Sequence, residues 1–214
     1  MPEPVLVIFD IDGTLLDTTT VTVPAVRRTL ARYGLPQPKE ADIVAYFGAP
    51  AEDYHEWLAS LCPEGKAEEI IAATDECELA MMGEEGRLYQ GVNTMLDALS
   101  NAEYPLAICS NGPADYVQAF LDVFEMAPRF EAVLCRGMGY SGKETMIAEV
   151  ARRHPGRKLI MVGDRGDDVA GAHANGALAI GAVYGFGPDE LGDADALADA
   201  PLDVPAAVKQ LCGR

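Results

Sequence analysis

Positive charge is scarce in this sequence. The 214 residues include 16 Lys and Arg against 34 Asp and Glu, which gives a formal net charge of -18. A surface this acidic repels nucleic acids and anionic membranes at long range. We therefore expect neither of them as a partner, and an anionic ligand would need a local positive site.

Long apolar runs are also missing. No stretch approaches the ~20 consecutive apolar residues that a membrane-spanning helix needs. The opening MPEPVLVIFD has no basic flank before its short apolar run, whereas a secretory signal peptide has one. The sequence therefore predicts a cytoplasmic protein.

The cysteines do not form a recognisable framework. Their number, five, is odd, none has CxxC spacing, and Cys109 and Cys135 lie in strand-like apolar runs. This pattern favours buried free thiols over disulfides or a thiolate metal site.

Apolar sequence is abundant, but in short pieces. Hydrophobic residues make up 49% of the chain, enough to bury the core of one domain, or of a domain with an insert. Five runs predict fully buried strands: VLVIFD, PLAICSN, EAVLC, KLIMVGD and ALAIGAVYG. Helical patterns occur between them, such as GVNTMLDALSNA, PADYVQAFLDVF, KETMIAEVARR and DVAGAHANG. The alternation predicts an α/β fold with a doubly wound parallel sheet, and we expect the later PDELGDADALADAPLDV to be surface helix and loop.

The segment between the first two strands shows only helical patterns. It runs from about Asp17 to Leu88 and includes VPAVRRTLARYG and PEGKAEEIIAATDECELAMM. A crossover this long exceeds a loop or a single helix. We therefore predict an α/β core domain of residues 1–16 and 89–214 and a small helical cap domain of residues 17–88. Ligands of such sheets bind at the carboxyl ends of the strands, so the cap would cover the site.

Acidic residues gather where two of the predicted strands end. Asp10 and Asp12 follow the first strand in FDIDGTLLDT, and Asp164, Asp167 and Asp168 follow the fourth in MVGDRGDDVAGAHANG. Capping of the following helix needs one Asp and not three. Carboxylates gathered at one sheet edge repel each other unless a cation lies among them, and oxygen ligands favour Mg²⁺. The sequence therefore predicts a Mg²⁺ site.

A candidate anion site follows the second strand. In CSNGP, Ser110 and the backbone N–H groups of Asn111 and Gly112 precede a predicted helix, and the N-terminus of a helix can bind an anion. Such a helix start is commonplace on its own. Lys143, which comes after the third strand, would bring positive charge to the same edge of the sheet.

The stretch GMGYSGKE before and around that lysine matches two phosphate-binding patterns. Gly137, Gly139 and Gly142 satisfy the GxGxxG dinucleotide fingerprint, and GxxxxGK is also present, although Glu144 stands where a nucleotide loop needs a hydroxyl. A chain with 21 glycines meets GxGxxG by chance fairly often. Two alternatives stay open: a nicotinamide-dependent oxidoreductase that uses this loop, or a glycine turn that presents Lys143.

Four segments taken together are far more specific. FDIDGTL, CSNG, Lys143 and GDRGDD, in this order and each after a predicted strand, resemble the four signature motifs of the haloacid dehalogenase (HAD) superfamily over almost the whole chain. The helical insert followed by YQGVNTMLDAL resembles the phosphoglycolate phosphatase-like branch. The resemblance implies a Rossmann-like core and a Mg²⁺-dependent phosphatase, which hydrolyses a small phosphorylated metabolite through an aspartyl-phosphate intermediate.

The resemblance also implies roles for the acidic residues. Asp10 would be the nucleophile and a metal ligand, and Asp164 a second metal carboxylate. Asp12 would serve as general acid and base and would bind Mg²⁺ through its backbone carbonyl. Asp168 would hold metal-bound waters or the lysine.

A second group of residues would bind the transferring phosphoryl group. Ser110, Asn111 and Gly112 would do so through the serine side chain and the backbone amides, and Lys143 would pair with both the nucleophile and the phosphate. Two neighbouring positions depart from the family pattern, because Arg165 stands where Ser is frequent and Asp167 where Asn is frequent. Neither departure removes a reacting group.

The resemblance leaves the substrate open. A sugar phosphate mutase or a pyrophosphatase would share these motifs, whereas a dehalogenase uses no Mg²⁺ and a non-enzymatic module would not need every reacting group. We expect a small phosphate ester as substrate and a monomer or homodimer. Substrate choice would lie largely in the cap, where the candidates are Tyr46, Phe47, Tyr54, His55 and Arg87.

Overall fold

Strands and helices alternate along the computed structural model, which describes residues 4–213. The strands are β1 (Val5–Phe9), β2 (Leu106–Ser110), β3 (Ala132–Cys135), β4 (Lys158–Gly163), β5 (Leu178–Ala182) and β6 (Ala196–Ala198). The helices are α1 (Thr22–Arg32), α2 (Glu40–Val44), α3 (Ala51–Ser60), α4 (Ala67–Glu84), α5 (Val92–Asn101), α6 (Ala114–Val123), α7 (Lys143–Arg153), α8 (Gly166–Ala174) and α9 (Val204–Leu211). All five predicted strands are confirmed.

The strands form one parallel sheet in the order β3-β2-β1-β4-β5-β6. Side chains of β1 alternate between its two faces: Val5, Val7 and Phe9 belong to one buried cluster, and Leu6 and Ile8 to another. Because helices cover both faces, the strands are apolar throughout. The doubly wound α/β prediction is confirmed, and β1 lies between β2 and β4, the strands whose ends carry the polar motifs.

One segment differs from its prediction. PDELGDADALADAPLDV, expected to be helix and loop, contributes the edge strand β6. The backbone of β5 provides the reason, because Val183 N donates to Ala198 O at 2.9 Å and Asp195 N donates to Ala179 O at 2.9 Å. Pairing with an existing strand overrides the low strand propensity of Asp and Ala.

Helices α1 to α4 lie between β1 and β2, as predicted for the insert. Their apolar side chains form a third buried cluster, which includes Val26, Leu30, Leu58 and Ile70. The chain leaves and re-enters the core side by side, because Leu16 forms a bridge with Leu88 and Asp17 N donates to Arg87 O at 2.9 Å. The division into core and cap stays a prediction, and residues 1–3 and 214 of the predicted core lie outside the described residues.

Two expectations about other classes of protein can be compared with the structure. Within residues 4–213, no helix combines the length and the apolar character required to cross a membrane. All five cysteines are free, with Cys109 and Cys135 buried and the other three half-buried. The expectation of free thiols is confirmed, and the expectation that they are buried is confirmed for Cys109 and Cys135.

The glycine-rich stretch after β3 does not run directly into a helix. A 3₁₀ turn, Arg136–Met138, comes first, Gly139 has a φ of 94°, and α7 begins only at Lys143. Gly137 packs against the start of α6, where an added Cβ would lie 2.4 Å from Ala114 N. The glycine at this position is therefore required by backbone packing, which favours the reading of a turn that presents Lys143.

We expect Gly137→Ala to destabilise the protein by about 1–3 kcal/mol, because the methyl group forces α6 and the turn apart. The measurement is urea unfolding followed by circular dichroism. Gly192→Ala is the matched control, since an added Cβ meets nothing within 4 Å there. Equal stability of the two variants would contradict the packing role of Gly137.

Candidate active site

Three carboxylates meet at the carboxyl edge of the sheet. Asp10 follows β1, Asp164 follows the adjacent β4, and Asp168 lies in the first turn of α8. One oxygen of each lies within 4.8 Å of the others, and all three residues are buried. The structure thus brings together the two side chains expected to bind metal, Asp10 and Asp164, and adds Asp168.

A buried ammonium group compensates part of this charge. Lys143 is 1% exposed, and its Nζ lies 2.7 Å from Asp10 Oδ1 and 2.6 Å from Asp168 Oδ1. Burial opposes the charged form, but the two carboxylates outweigh it and raise the pKa of Lys143 above its ordinary value. The lysine therefore stays protonated, and its expected pairing with Asp10 is present.

Asp164 has an unused oxygen. Its Oδ2 accepts a hydrogen bond from Phe186 N at 2.7 Å, while the buried Oδ1 has no partner among the described residues. Burial, followed by the charge of Asp168, raises the pKa of Asp164 to about 7. Gly13 leaves room for it, since an added Cβ there would lie 2.2 Å from Asp164 Oδ2. An unpaired buried oxygen among carboxylates fits a hard divalent cation such as Mg²⁺.

Asp12 is held differently from the three clustered carboxylates. Its Oδ1 accepts hydrogen bonds of 2.8 Å from both Thr18 Oγ1 and Tyr116 OH. Burial raises the pKa of Asp12, and these two hydrogen bonds oppose that shift. The carboxyl group is thereby fixed in one orientation, with its proton retained to higher pH than in water.

The expected phosphate-binding residues lie at the end of β2. Ser110 is fully buried and its Oγ accepts from Gly112 N at 3.1 Å. Asn111 Nδ2 donates to the cap carbonyl Gly48 O at 2.9 Å and to Asp167 Oδ2 at 3.1 Å. The side chain of Asn111 therefore connects the core with the cap, while its backbone amide belongs to the candidate anion site.

Arg165 and Asp167, the two positions that depart from the family pattern, contact neighbouring residues in the structure. Arg165 pairs with Glu190 at 3.0 Å, and its side chain packs against Gly48 of the cap. Asp167 accepts the hydrogen bond from Asn111. Arg165 thus borders the helical insert and Asp167 borders the end of β2, and neither belongs to the carboxylate cluster.

The cap candidates fall into two groups. Tyr46, Phe47 and Tyr54 line a cavity of about 70 Å³ between cap and core, together with Asp12 and Asn111. His55 and Arg87 do not line it: His55 Nε2 lies 3.0 Å from Asp75 Oδ1, and Arg87 borders a separate groove beside Asp17.

Sequence reasoning missed three residues of the site. Thr18 and Tyr116 bind Asp12, and the buried Glu78 of α4 lines the same cavity. A signal for Glu78 exists, because Ile70, Thr74 and Glu78 recur every four residues and all are buried. An acid on the apolar stripe of a helix indicates a specific role.

Comparison with known proteins places the chain in a family. A model described as "Haloacid dehalogenase-like hydrolase" matches residues 7–182. The tyrosine-protein kinase PtkA of Mycobacterium tuberculosis is 31% identical over 189 residues, covering 86% of this chain and 64% of that protein, so the chain spans about two thirds of that relative. A phosphoglycolate phosphatase of Caulobacter vibrioides is 29% identical over 209 residues, covering 93% and 88%.

A solved structure shows the same fold. The haloacid dehalogenase-like family protein SP0104 from Streptococcus pneumoniae superimposes with a TM-score of 0.82 at 25% identity, covering 97% of this chain and 100% of that chain.

The carboxylate cluster generates a prediction about stability without metal. Asp164→Asn should raise the free energy of unfolding at pH 8 by on the order of 1–4 kcal/mol, because it removes a buried charge while the amide oxygen can still accept from Phe186 N. The folded pKa is raised, so the cost of the wild-type carboxyl is absent below about pH 4, grows as pH rises and is complete above about 7. Urea unfolding across this range measures it.

Asp168→Asn is the contrasting variant, because it removes a partner of Lys143 and should destabilise the protein by about 1–3 kcal/mol. Mg²⁺ should raise the Tm of the wild type and leave that of Asp164→Asn almost unchanged. A destabilised Asp164→Asn variant that still responds to Mg²⁺ would contradict the interpretation.

Proposed function

We propose that this chain, which belongs to the haloacid dehalogenase-like hydrolase family, is a Mg²⁺-dependent phosphatase of a small phosphomonoester. Asp10 would act as the nucleophile. The observation that carries the proposal is the buried contact of 2.7 Å between Lys143 Nζ and Asp10 Oδ1. The similarity to a phosphoglycolate phosphatase supports the reaction and makes phosphoglycolate one candidate substrate.

The first step is attack of the Asp10 carboxylate on phosphorus. It forms an aspartyl phosphate and releases the alcohol, which divides the hydrolysis into two easier displacements. An anionic nucleophile approaches an anionic phosphate only when their charges are offset. Lys143 supplies one positive charge beside Asp10, and it supplies it in a buried site, where electrostatic interactions are strong.

Asp10, Asp164 and the backbone carbonyl of Asp12 would hold the metal ion, and Asp168 would orient its surroundings together with Lys143. The unpaired Oδ1 of Asp164 supports this assignment. When bound, Mg²⁺ offsets the charge on the nucleophile and on the phosphoryl oxygens.

Asp12 would move the protons. As an acid it donates to the leaving alkoxide, and as a carboxylate it then takes a proton from the water that attacks the aspartyl phosphate. The raised pKa of Asp12, caused by its burial, supports the acid form in the first step. The hydrogen bonds from Thr18 and Tyr116 hold the carboxyl group in place for both steps.

The end of β2 would bind the transferring phosphoryl group. Ser110 Oγ and the backbone amide of Asn111 would donate hydrogen bonds to it at the loop before α6, where the helix N-terminus also favours an anion. Gly112 N, which donates to Ser110 Oγ at 3.1 Å, would join them by exchanging this contact for the phosphoryl group. Lys143, whose Nζ lies 2.7 Å from Asp10 Oδ1, would contact the same phosphoryl group. A sugar phosphate mutase and a pyrophosphatase would use these residues as well, and they differ in the group that accepts or leaves the phosphoryl group.

We expect phosphate release from an aryl phosphate to disappear on chelation and to return when Mg²⁺ is added back. Asp10→Asn removes the nucleophile and a metal ligand together, so its rate should fall by at least about 10³-fold and Mg²⁺ should not restore it. A colorimetric assay for phosphate measures both effects. Equal turnover after exhaustive chelation, or binding of NADH seen by fluorescence, would count against the proposal, and an isomerised ester without free phosphate would indicate a mutase.

Asp12→Asn should slow each proton-assisted step by about 10² to 10⁴-fold. An activated aryl phosphate needs little protonation of its leaving group, so formation of the aspartyl phosphate should recover more than its hydrolysis does. Rapid-quench phosphate labelling should then show a burst of covalent label on Asp12→Asn. Label on Asp10→Asn with none on Asp12→Asn would mean that the two roles are reversed.

A further inference from the structure

The cavity beside Asp12 is where the alcohol part of a substrate would lie if the proposed function is correct. Asp12 and Asn111 line it from the side of the sheet, and the loop of residues 46–49 lines it together with α3 and α4 from the side of the helical insert. Its lining residues, all in the described part of the chain, include two carboxyl groups, Asp12 and Glu78, and no lysine, arginine or histidine. The described lining of this cavity thus provides no cation for a second anionic group on a substrate.

Glu78 is the charged residue that the cap contributes to this cavity. It is 8% exposed, and Tyr54 OH donates a hydrogen bond of 2.8 Å to its Oε1. Burial raises the pKa of Glu78 to about 8. The carboxyl group fixed by this tyrosine is neutral below about pH 8, where it can both donate and accept hydrogen bonds. Above that pH its negative form repels a neighbouring carboxylate and favours an ammonium group.

The surrounding basic side chains are engaged elsewhere. Arg165 pairs with Glu190, and Arg136 Nε lies 3.3 Å from Glu52 Oε2. Both arginines border a neighbouring groove. His55, which borders an adjacent pocket beside Glu78, has its Nε2 3.0 Å from Asp75 Oδ1. Lys143 is directed at the carboxylate cluster through its contacts with two aspartates. A carboxylate on the leaving group would therefore be buried without a counter-ion, which is costly.

We propose that Glu78 is a specificity-determining residue, which selects phosphate esters whose alcohol part is neutral or cationic and bears a hydroxyl or amino group, and which disfavours those that bear a carboxylate. The aromatic rings of Tyr46 and Phe47 border the same cavity and would contact the carbon skeleton of such a group. The inference rests on the proposed phosphatase function, and it separates this chain from a phosphoglycolate phosphatase despite the similarity.

Three two-carbon phosphates test the inference because they differ in one group only: phosphoglycolate bears a carboxylate, 2-hydroxyethyl phosphate a hydroxyl and 2-aminoethyl phosphate an ammonium. At about pH 9, where Glu78 is ionised, the wild-type kcat/KM for the hydroxyl and ammonium compounds should exceed that for phosphoglycolate by about ten-fold or more. Glu78→Gln keeps the volume and an acceptor for Tyr54, and it should reduce this preference by about ten-fold. Glu76→Gln, an exposed acid of the same helix, should leave the preference unchanged.

A wild type that prefers phosphoglycolate would overturn the inference. So would a Glu78→Gln variant that keeps the wild-type preference for the hydroxyl and ammonium compounds as fully as Glu76→Gln does. Hydrolysis of any of the three compounds would still support the phosphatase. If no phosphate ester, including the aryl phosphate, is hydrolysed with Mg²⁺, the proposed function fails instead. In that case the shift in Tm with each two-carbon phosphate measures binding without turnover. The inference then requires larger shifts with the hydroxyl and ammonium compounds than with phosphoglycolate, and a smaller difference in Glu78→Gln.

Discussion

One buried ammonium group holds the acidic edge of the sheet together. Lys143 contacts Asp10 and Asp168 within 2.7 Å in a chain of net charge -18. Through these contacts the first residue of α7 is tied to the end of β1 and to the start of α8. Removing one partner of a buried pair leaves an uncompensated charge. The positions of two helices and of the proposed nucleophile, Asp10, therefore depend on the same few atoms.

The residues at the strand ends were predictable from the sequence. Asp10, Ser110 and Asp164 directly follow or end apolar runs that can only be buried strands, and the carboxyl ends of parallel strands lie at one edge of the sheet. Geometry of this kind needs no knowledge of side-chain packing. Lys143 was harder to place, because its role depends on a helix start that neither charge nor periodicity distinguishes from a solvated one.

Other residues of the site could not be predicted because tertiary contacts decide them. Tyr116 and Thr18 meet at Asp12 although they are 98 residues apart in sequence, as their hydrogen bonds to Asp12 span 104 and 6 positions. Glu78 lies on the buried stripe of α4, so its burial has a signal in the sequence, but the groups that it faces follow only from how α4 packs. The strand β6 forms because β5 offers an edge with which it can pair, and the strand propensity of its own residues does not predict this.

The bridge between Leu16 and Leu88 bears on how this chain can change during evolution. Because the chain leaves and re-enters the sheet at neighbouring points, the residues between Leu16 and Leu88 form an excursion whose two ends lie side by side. Insertions and replacements are tolerated best where chain ends lie close together. The carboxylates of the cluster come from outside this excursion, whereas Glu78 and Tyr54 come from within it. Evolution can therefore exchange the helices that border the cavity and inherit the carboxylate cluster unchanged.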